Sequence, residues 1–366
     1  MIWILIVAGL VLLLLAQMVY LSFALVAGDR KTEGLGYFGL PAPARDRFRR
    51  TLRRQALLLR PMLRLLSRSS RFTFEKATFR HRDLAGPRGT CGPATFDRAE
   101  AYCPEPQDVF VAAQMKCGTT WMLHVVYQVL RRGAGDLVET GTALHAVSPW
   151  LEGRKTVATE DAPLVGSERP SRLIKTHLPA SRCPDAPEAR FIYVARHPVA
   201  CFASCADFIA ANAGSFAPAL SAVEEWFMSP EWMWWGTWPA HVRGWWARAA
   251  ERGNVLFVRF EEMTQDLGKV VRRIEALLGT SPLTGAELGR VREKCSFAYM
   301  KAHAEAFEMH PPHLLSVDAD LFVKGSADRH LDVPEDARER IRAWCAAELR
   351  EAPPQVPALY PDLRAG

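Results

Sequence analysis

The run VFVAAQMKCGTTWMLHVVYQVL, Val109 to Leu130, constrains the fold more than any other stretch of this chain. Val109 to Ala113 reads as a buried strand and Thr119 to Leu130 as a helix, with Lys-Cys-Gly-Thr-Thr as the turn between them. Further apolar strands stand in DVFVAA, RLIKTH, RFIYVAR and NVLFVRF, separated by longer helical segments. That spacing predicts an α/β fold in which the strands lie parallel and helices cover both faces of the sheet. Ligands on such sheets collect at the carboxyl ends of the strands. The residues that carry chemistry in this sequence fall at those ends.

Gly118 lets the backbone pass close to a ligand, and the amides of Cys117 to Trp121 then converge on an anion at the helix N-terminus. Lys116 adds a full positive charge there. The nucleotide triphosphatase pattern GxxxxGK[ST] is not met, because the lysine precedes the glycine and the first glycine is missing. A kinase on this plan would also need an acidic metal ligand near the turn, and none stands there. Taken alone, the run is equally compatible with a strand-to-helix turn carrying an incidental lysine.

Of the 366 residues, 1–28 carry no charge, more than the roughly 20 an apolar helix needs to cross a bilayer. This predicts a single membrane anchor. A secretory signal would begin with basic residues and have a shorter apolar run. Residues 29–72 follow as a basic segment, with 12 basic residues against 2 acidic between Arg30 and Arg71. Within it Leu52, Ala56, Leu59, Leu63 and Leu66 recur at helical spacing among arginines. Such a helix suits a lipid interface; packing on the globular domain with its arginines in water suits it equally, and Pro61 interrupts the pattern. The positive flank predicts that the remainder, 73–366, faces the cytoplasm. That remainder is slightly acidic, which argues against nucleic acid as a partner. The eight cysteines show no CxxC spacing and no neighbouring histidine cluster, so they read as free thiols of a reducing compartment rather than a zinc site or a disulfide framework.

The motif QMKCGTTW resembles the 5'-phosphosulfate loop of the cytosolic-type sulfotransferase family, whose pattern is close to PKSGTTW, with Cys117 standing for serine. RLIKTHLP, RFIYVARHP with Ser204, GTWPAHVRGWW, VRFEEM, CSFAYMK and FVKG follow in the family's order. The resemblance implies a three-layer P-loop-type sheet and 3'-phosphoadenosine 5'-phosphosulfate (PAPS) as cosubstrate, with no metal. It implies that Lys116 with Gly118, Thr119 and Thr120 holds the phosphosulfate bridge, that Trp121 stacks on the adenine, and that Arg196 and Ser204 hold the 3'-phosphate. Cys295 and Phe297 fall where the family contacts the 3'-phosphate and stacks the base. Phe260 replaces a usual tyrosine, and in FVKG, which supplies Lys324 and Gly325, Val323 replaces a usual arginine, for which Arg329 is a candidate substitute.

Transfer of a sulfuryl group to an alcohol needs a base for a weakly acidic proton and positive charge at the leaving phosphate. His177, in Lys-Thr-His-Leu-Pro, is the base candidate, because an imidazole is largely neutral at pH 7 yet accepts a proton. Lys116 suits the leaving oxygen and Lys175 the sulfonate. A degenerate nucleotide-binding scaffold is the competing reading, motivated by Val323 and Cys117.

On the acceptor side, residues 226–246 hold eight aromatics, and Trp232, Trp234 and Trp235 precede a helix that resembles a structural one of the family. An apolar pocket suits a small-molecule phenol, a sterol-like alcohol or a lipid hydroxyl better than a polyanionic glycan. The segment Pro149 to Glu152 resembles another acceptor-side element. The family's dimer motif is only partly present around Asp332 and Val333, and a homodimer is compatible with it.

Overall fold

The computed structural model of the chain describes residues 34–69, 72–317 and 327–363, together with Gly9, Ala16, Gln17 and Tyr20. Among these, β1 (Thr78–His81) and β2 (Leu84–Pro87) pair as an antiparallel hairpin. Four longer strands form the central parallel sheet: β3 (Asp108–Ala113), β4 (Arg172–Thr176), β5 (Arg190–Ala195) and β6 (Val255–Arg259), in the order β4-β3-β5-β6. Val109 of β3 pairs with Leu173 on one side and Arg190 on the other, and Tyr193 of β5 pairs with Phe257. All six residues of β3 are buried, Asp108 against Arg172 and Tyr102, and this explains the unbroken apolar run from Val109 to Ala113: a parallel strand covered on both faces has no solvent side to alternate with. Because β3 is flanked by β4 and β5 in matching direction, the residues after Ala113, Thr176 and Ala195 emerge side by side at one end of the sheet.

The α-helices of six residues or more among the described residues are α1 (Ala42–Ser69), α2 (Pro93–Glu100), α3 (Thr119–Leu130), α4 (Pro198–Ala213), α5 (Leu220–Met228), α6 (Trp238–Glu251), α7 (Phe260–Gln265), α8 (Leu267–Leu278), α9 (Gly285–Lys294), α10 (Phe297–Ala302) and α11 (Glu335–Glu348). Their ends follow local chemistry. Pro198 and Pro239 sit in first turns, where no amide donor is needed. The Asp266 side chain accepts from the Lys269 amide to start α8, and Gly279 ends it at φ 68°. α9 opens with a reciprocal Thr284–Glu287 capping box.

The stretch Pro198–Phe216 is long and apolar enough to span a membrane, but Val199, Cys201, Phe202, Cys205 and Ile209 along it are buried in the main core. Its composition is that of a helix packed inside a protein. The expected anchor, residues 1–28, lies outside the described residues except for four of them. One of these, Tyr20, accepts a hydrogen bond from Gln55 Nε2 of α1 at 3.0 Å.

α1 runs unbroken through Pro61, which is exposed, so the carbonyl left without its amide donor can meet water. The helix packs on the domain by one face. Leu52, Leu59 and Met62 are buried with Leu314, Arg45 donates to the Gly141 carbonyl at 2.7 Å, and Arg49 pairs with Glu308 at 2.6 Å. Val333, of the partial dimer motif, is buried in the chain's own core.

Candidate active site

One cavity of about 840 Å³ lies beyond the ends of the central strands and brings together residues from across the sequence. Lys116, Gly118, Thr119, Thr120 and Trp121 reach it from the β3–α3 turn, Lys175 and His177 from the end of β4, Arg196 and Ser204 from the β5–α4 junction. Phe260, Cys295 and Phe297 complete the same wall. Lys324 and Gly325 lie outside the described residues, as do Val323 and the side chain of Arg329.

The turn after β3 has the backbone a close anion contact requires. Gly118 caps α3 at φ 103°, a region that side-chain-bearing residues rarely enter, and a Cβ there would lie 2.7 Å from Phe260. Lys116 itself adopts φ 66°, a conformation a non-glycine residue holds only when its surroundings impose it. Part of that constraint is Arg196, whose Nη1 donates to the Lys116 carbonyl at 3.2 Å. The guanidinium of Arg196 also lies 4.3 Å from the centroid of the Phe260 ring. The phenylalanine that replaces a tyrosine therefore still supports the basic wall, through its π face. Trp121 meets Phe260 edge-on at 5.3 Å and donates its indole N–H to the Cys295 carbonyl at 2.8 Å, which fixes its ring plane.

Two cysteines contribute differently from what their motif positions suggest. Cys117 turns its thiol inward, with Sγ 3.7 Å from Cys201 Sγ, and burial pushes that thiol well above its ordinary range. Its backbone amide donates to the Gln114 carbonyl at 3.2 Å, so Cys117, expected at the site from its motif position, supports the turn from behind and does not line the cavity. Cys295 is likewise fully buried and serves the site through its carbonyl. All eight cysteines are free.

At the end of β4, His177 is 6 % exposed and its Nδ1 lies 2.7 Å from the Ala113 carbonyl. A carbonyl only accepts, so Nδ1 carries the proton and Nε2 holds the lone pair. Burial, followed by the nearby Lys175 charge, holds His177 well below the usual histidine range. It is therefore a neutral acceptor across the whole physiological range. Lys175 is buried with its ammonium 3.7 Å from the Trp150 ring centroid, and burial lowers it to about 8.

The sequence did not single out what holds this strand end in place. Glu152, fully buried, accepts from the His177 amide at 2.7 Å and from the Thr176 hydroxyl at 2.9 Å. On the other side, His241 bridges the Tyr193 hydroxyl and the His177 carbonyl, both at 2.9 Å. Gln114 donates to the Trp234 carbonyl at 3.2 Å and to that of Gly236, tying the β3 turn to the tryptophan segment. Trp235, at φ 61°, thereby rests 4.8 Å from the His177 ring, with Trp150 5.4 Å from that ring on an edge. Phe208, Met309, His310, Leu63 and Leu66 also line the cavity without having been marked by any motif. The one available signal was a glutamate inside the apolar Pro-Trp-Leu-Glu segment.

A parallel sheet with a strand–anion loop–helix unit at its centre, a basic wall beside it and an aromatic chamber opposite defines a nucleotide-dependent group-transfer fold. A sulfotransferase-domain family model matches residues 106–353, and the chain belongs to the sulfotransferase family. Similar curated proteins include mouse Sulfotransferase 1E1, 26% identical over 266 residues covering 70% of this chain and 88% of that protein. Mouse Sulfotransferase 2B1 is 29% identical over 245 residues, 65% of this chain and 69% of that protein. Among solved structures, mouse sulfotransferase SULT7A1 complexed with PAP superposes with a TM-score of 0.56 at 19% identity, over 75% of this chain and 96% of that one. Retinol dehydratase in complex with androsterone and the inactive cofactor PAP gives a TM-score of 0.54 at 20% identity, over 74% and 89%. These two likenesses establish a shared fold.

Proposed function

We propose that this sulfotransferase takes its sulfuryl group from PAPS and passes it to the hydroxyl of an apolar alcohol, phenol or lipid, with His177 as the general base. The observation that carries the reading is the single cavity: Lys116 and Arg196 line the same space as the Nε2-accepting His177. The relatives with bound PAP support the nucleotide, and the complexes of a similar fold with retinol and with androsterone support an apolar acceptor.

The residues fit such a donor. Thr119 has a buried hydroxyl with no hydrogen-bond partner among the described residues, at the N-terminus of α3 where an anion would accept from it. Gly118 lets the turn close against the Phe260 ring, which a Cβ there would meet at 2.7 Å, while the residue itself lines the cavity. Lys116, Gly118, Thr119 and Thr120 would hold the phosphosulfate, Trp121, Phe260 and Phe297 the base, and Arg196 with Ser204 the 3'-phosphate. Lys324 and Gly325 extend this set by sequence. When bound, the nucleotide supplies an activated sulfuryl group on a good leaving phosphate.

The chain's own residues supply the remainder. His177 Nε2 receives the acceptor's hydroxyl proton, and the resulting imidazolium is stabilised through Nδ1–H to the Ala113 carbonyl. Lys116 offsets charge developing at the leaving oxygen, and Lys175, protonated below about pH 8, offsets it at the sulfonate. Trp150 and Trp235 flank the base and exclude water, which would otherwise compete as acceptor. By composition, residues 1–28 anchor the chain in a bilayer once, with the catalytic domain on the cytoplasmic side.

Thermal unfolding with adenosine 3',5'-bisphosphate tests the nucleotide: Tm should rise far more than with ATP and magnesium. Equal shifts would return the kinase reading. Turnover of labelled PAPS over a panel of phenols, sterols and long-chain alcohols tests the acceptor class, and preference for a charged glycan over all of them would overturn it.

A further inference from the structure

We infer that the acceptor reaches the cavity from a bilayer on which α1 lies, α1 being at once the protein's anionic-lipid contact and one wall of the acceptor chamber. This deepens the proposed function and rests on its assignment of the chamber.

Two opposite faces of one helix carry the inference. The inner face is committed to the domain: Leu52, Leu59 and Met62 are buried with Leu314, while Leu63 and Leu66 line the cavity that holds His177. Phe72, Phe216, Leu314 and Leu315 line the same cavity, with His313 and Asn212 as polar neighbours. The outer face exposes Leu57 at 63 %, Leu58 at 68 % and Leu65 at 53 %, an unusual cost for three large side chains on one helix in water. Between them stand exposed Arg50, Arg54, Arg60, Arg64 and Arg68. At 100° per residue Leu57, Arg50, Arg54, Arg64 and Arg68 fall opposite the buried stripe, with Leu58, Leu65 and Arg60 at its exposed margins. Asp46 is the one acidic residue in the whole helix.

Leucines interleaved with arginines on an exposed face match the chemistry of an anionic lipid surface: the leucines enter the acyl boundary and the arginines hold headgroup phosphates. A soluble acidic protein would satisfy the arginines but leave no reason for the leucines. Continuity argues for the same occupant. The uncharged stretch 1–28 precedes α1, and Tyr20 near its end accepts from Gln55 in the middle of α1. A tyrosine near the end of a span belongs at the lipid–water boundary, which sets the mid-point of α1 at that level. A long-chain alcohol or sterol in the adjoining leaflet then has to pass only the last turns of α1, at Leu63 and Leu66, to enter apolar wall.

The test uses the full chain reconstituted in phosphatidylcholine vesicles with or without phosphatidylserine, and a diazirine-bearing hexadecanol dissolved in the bilayer, so that no turnover is needed. Irradiation should label peptides containing Leu63, Leu66 and residues 309–315, several-fold more with phosphatidylserine. Leu63→Trp with Leu66→Trp should cut that labelling by about ten-fold, the wall being filled, while adenosine 3',5'-bisphosphate still raises Tm as in the wild type. On the outer face, Arg54→Glu with Arg64→Glu should abolish the phosphatidylserine dependence, each charge near the surface being worth about five-fold in binding. Label confined to peptides of residues 1–28, or cavity label indifferent to both lipid charge and the outer-face substitutions, would overturn the inference. A wild type that shows no response to the nucleotide would break the proposed function instead, and the labelling pattern would still decide the route.

Discussion

The two ends of the cavity are built on different physics. The end we assign to the donor is a tight turn with little freedom: Gly118 and Lys116 hold left-handed conformations, Arg196 is pinned to the Lys116 carbonyl, and Phe260 closes the gap. The end we assign to the acceptor is a wide chamber of side chains, from Trp150 and Trp235 beside His177 to Leu63, Leu66 and Leu314. A charged nucleotide needs donors at fixed points, because a misplaced ion pair in a low dielectric loses most of its worth. An apolar acceptor needs only excluded water and enough volume. The difference teaches that substitutions at the donor end should act on everything, and those at the acceptor end on one substrate at a time.

His177 stands between the two, and removing it should give the largest effect. His177→Ala is expected to lower kcat by about a hundred- to ten-thousand-fold, with the nucleotide-induced rise in Tm retained. A variant that turns over normally would remove His177 as the base, and one that no longer responds to nucleotide would show that the two ends are not separable. Next comes Gly118→Ala, which places a Cβ 2.7 Å from Phe260 at a φ of 103°. It should cost about 1–3 kcal/mol in urea unfolding and weaken binding of adenosine 3',5'-bisphosphate measured by calorimetry. A smaller and more selective change is expected of Trp235→Ala: KM for a bulky acceptor should rise about ten-fold while nucleotide affinity, followed by the same calorimetry, stays put.

The smallest effects are in pH. Lys175 loses its proton at about 8 in the free protein, so kcat/KM should decline above that value, and Lys175→Arg should move the decline to higher pH. No corresponding loss is expected at 6.5 on the acid side, since His177 stays neutral well below that. Stability behaves otherwise. Burial holds His124, His145 and His310 at about 3 and His241 and His313 at about 4, all below the unfolded value. The unfolded chain therefore binds more protons as pH falls below about 6.5, and Tm should drop steadily from there toward pH 4. A flat Tm over that window would mean that these imidazoles are hydrated and protonated in the fold.

The donor end was legible because its information is local. Residues 109–130 contain strand, turn and helix in continuous order, and the structure returns that helix with the same limits, Thr119–Leu130. The strand ends at His177 and Arg196 could be read for the same reason. The cysteines show where this stopped: Cys117 stands in the motif, yet its thiol points to Cys201 and its amide donates to the Gln114 carbonyl, which only packing reveals. Pro61 misleads in the opposite sense. It reads as a break, but α1 passes through it because the residue is exposed.

By itself, then, the sequence determined the parallel sheet, the anion turn and the identity of the charged and titratable groups, because period, glycine placement and residue chemistry act over a few neighbours. Tertiary structure alone decided that Glu152 and His241 brace His177, that Gln114 sets the tryptophans beside it, and that α1 packs on the chamber wall through Leu314 and Glu308. Those contacts join residues far apart along the chain, where no local pattern records the partner and only the shared exclusion of water selects it.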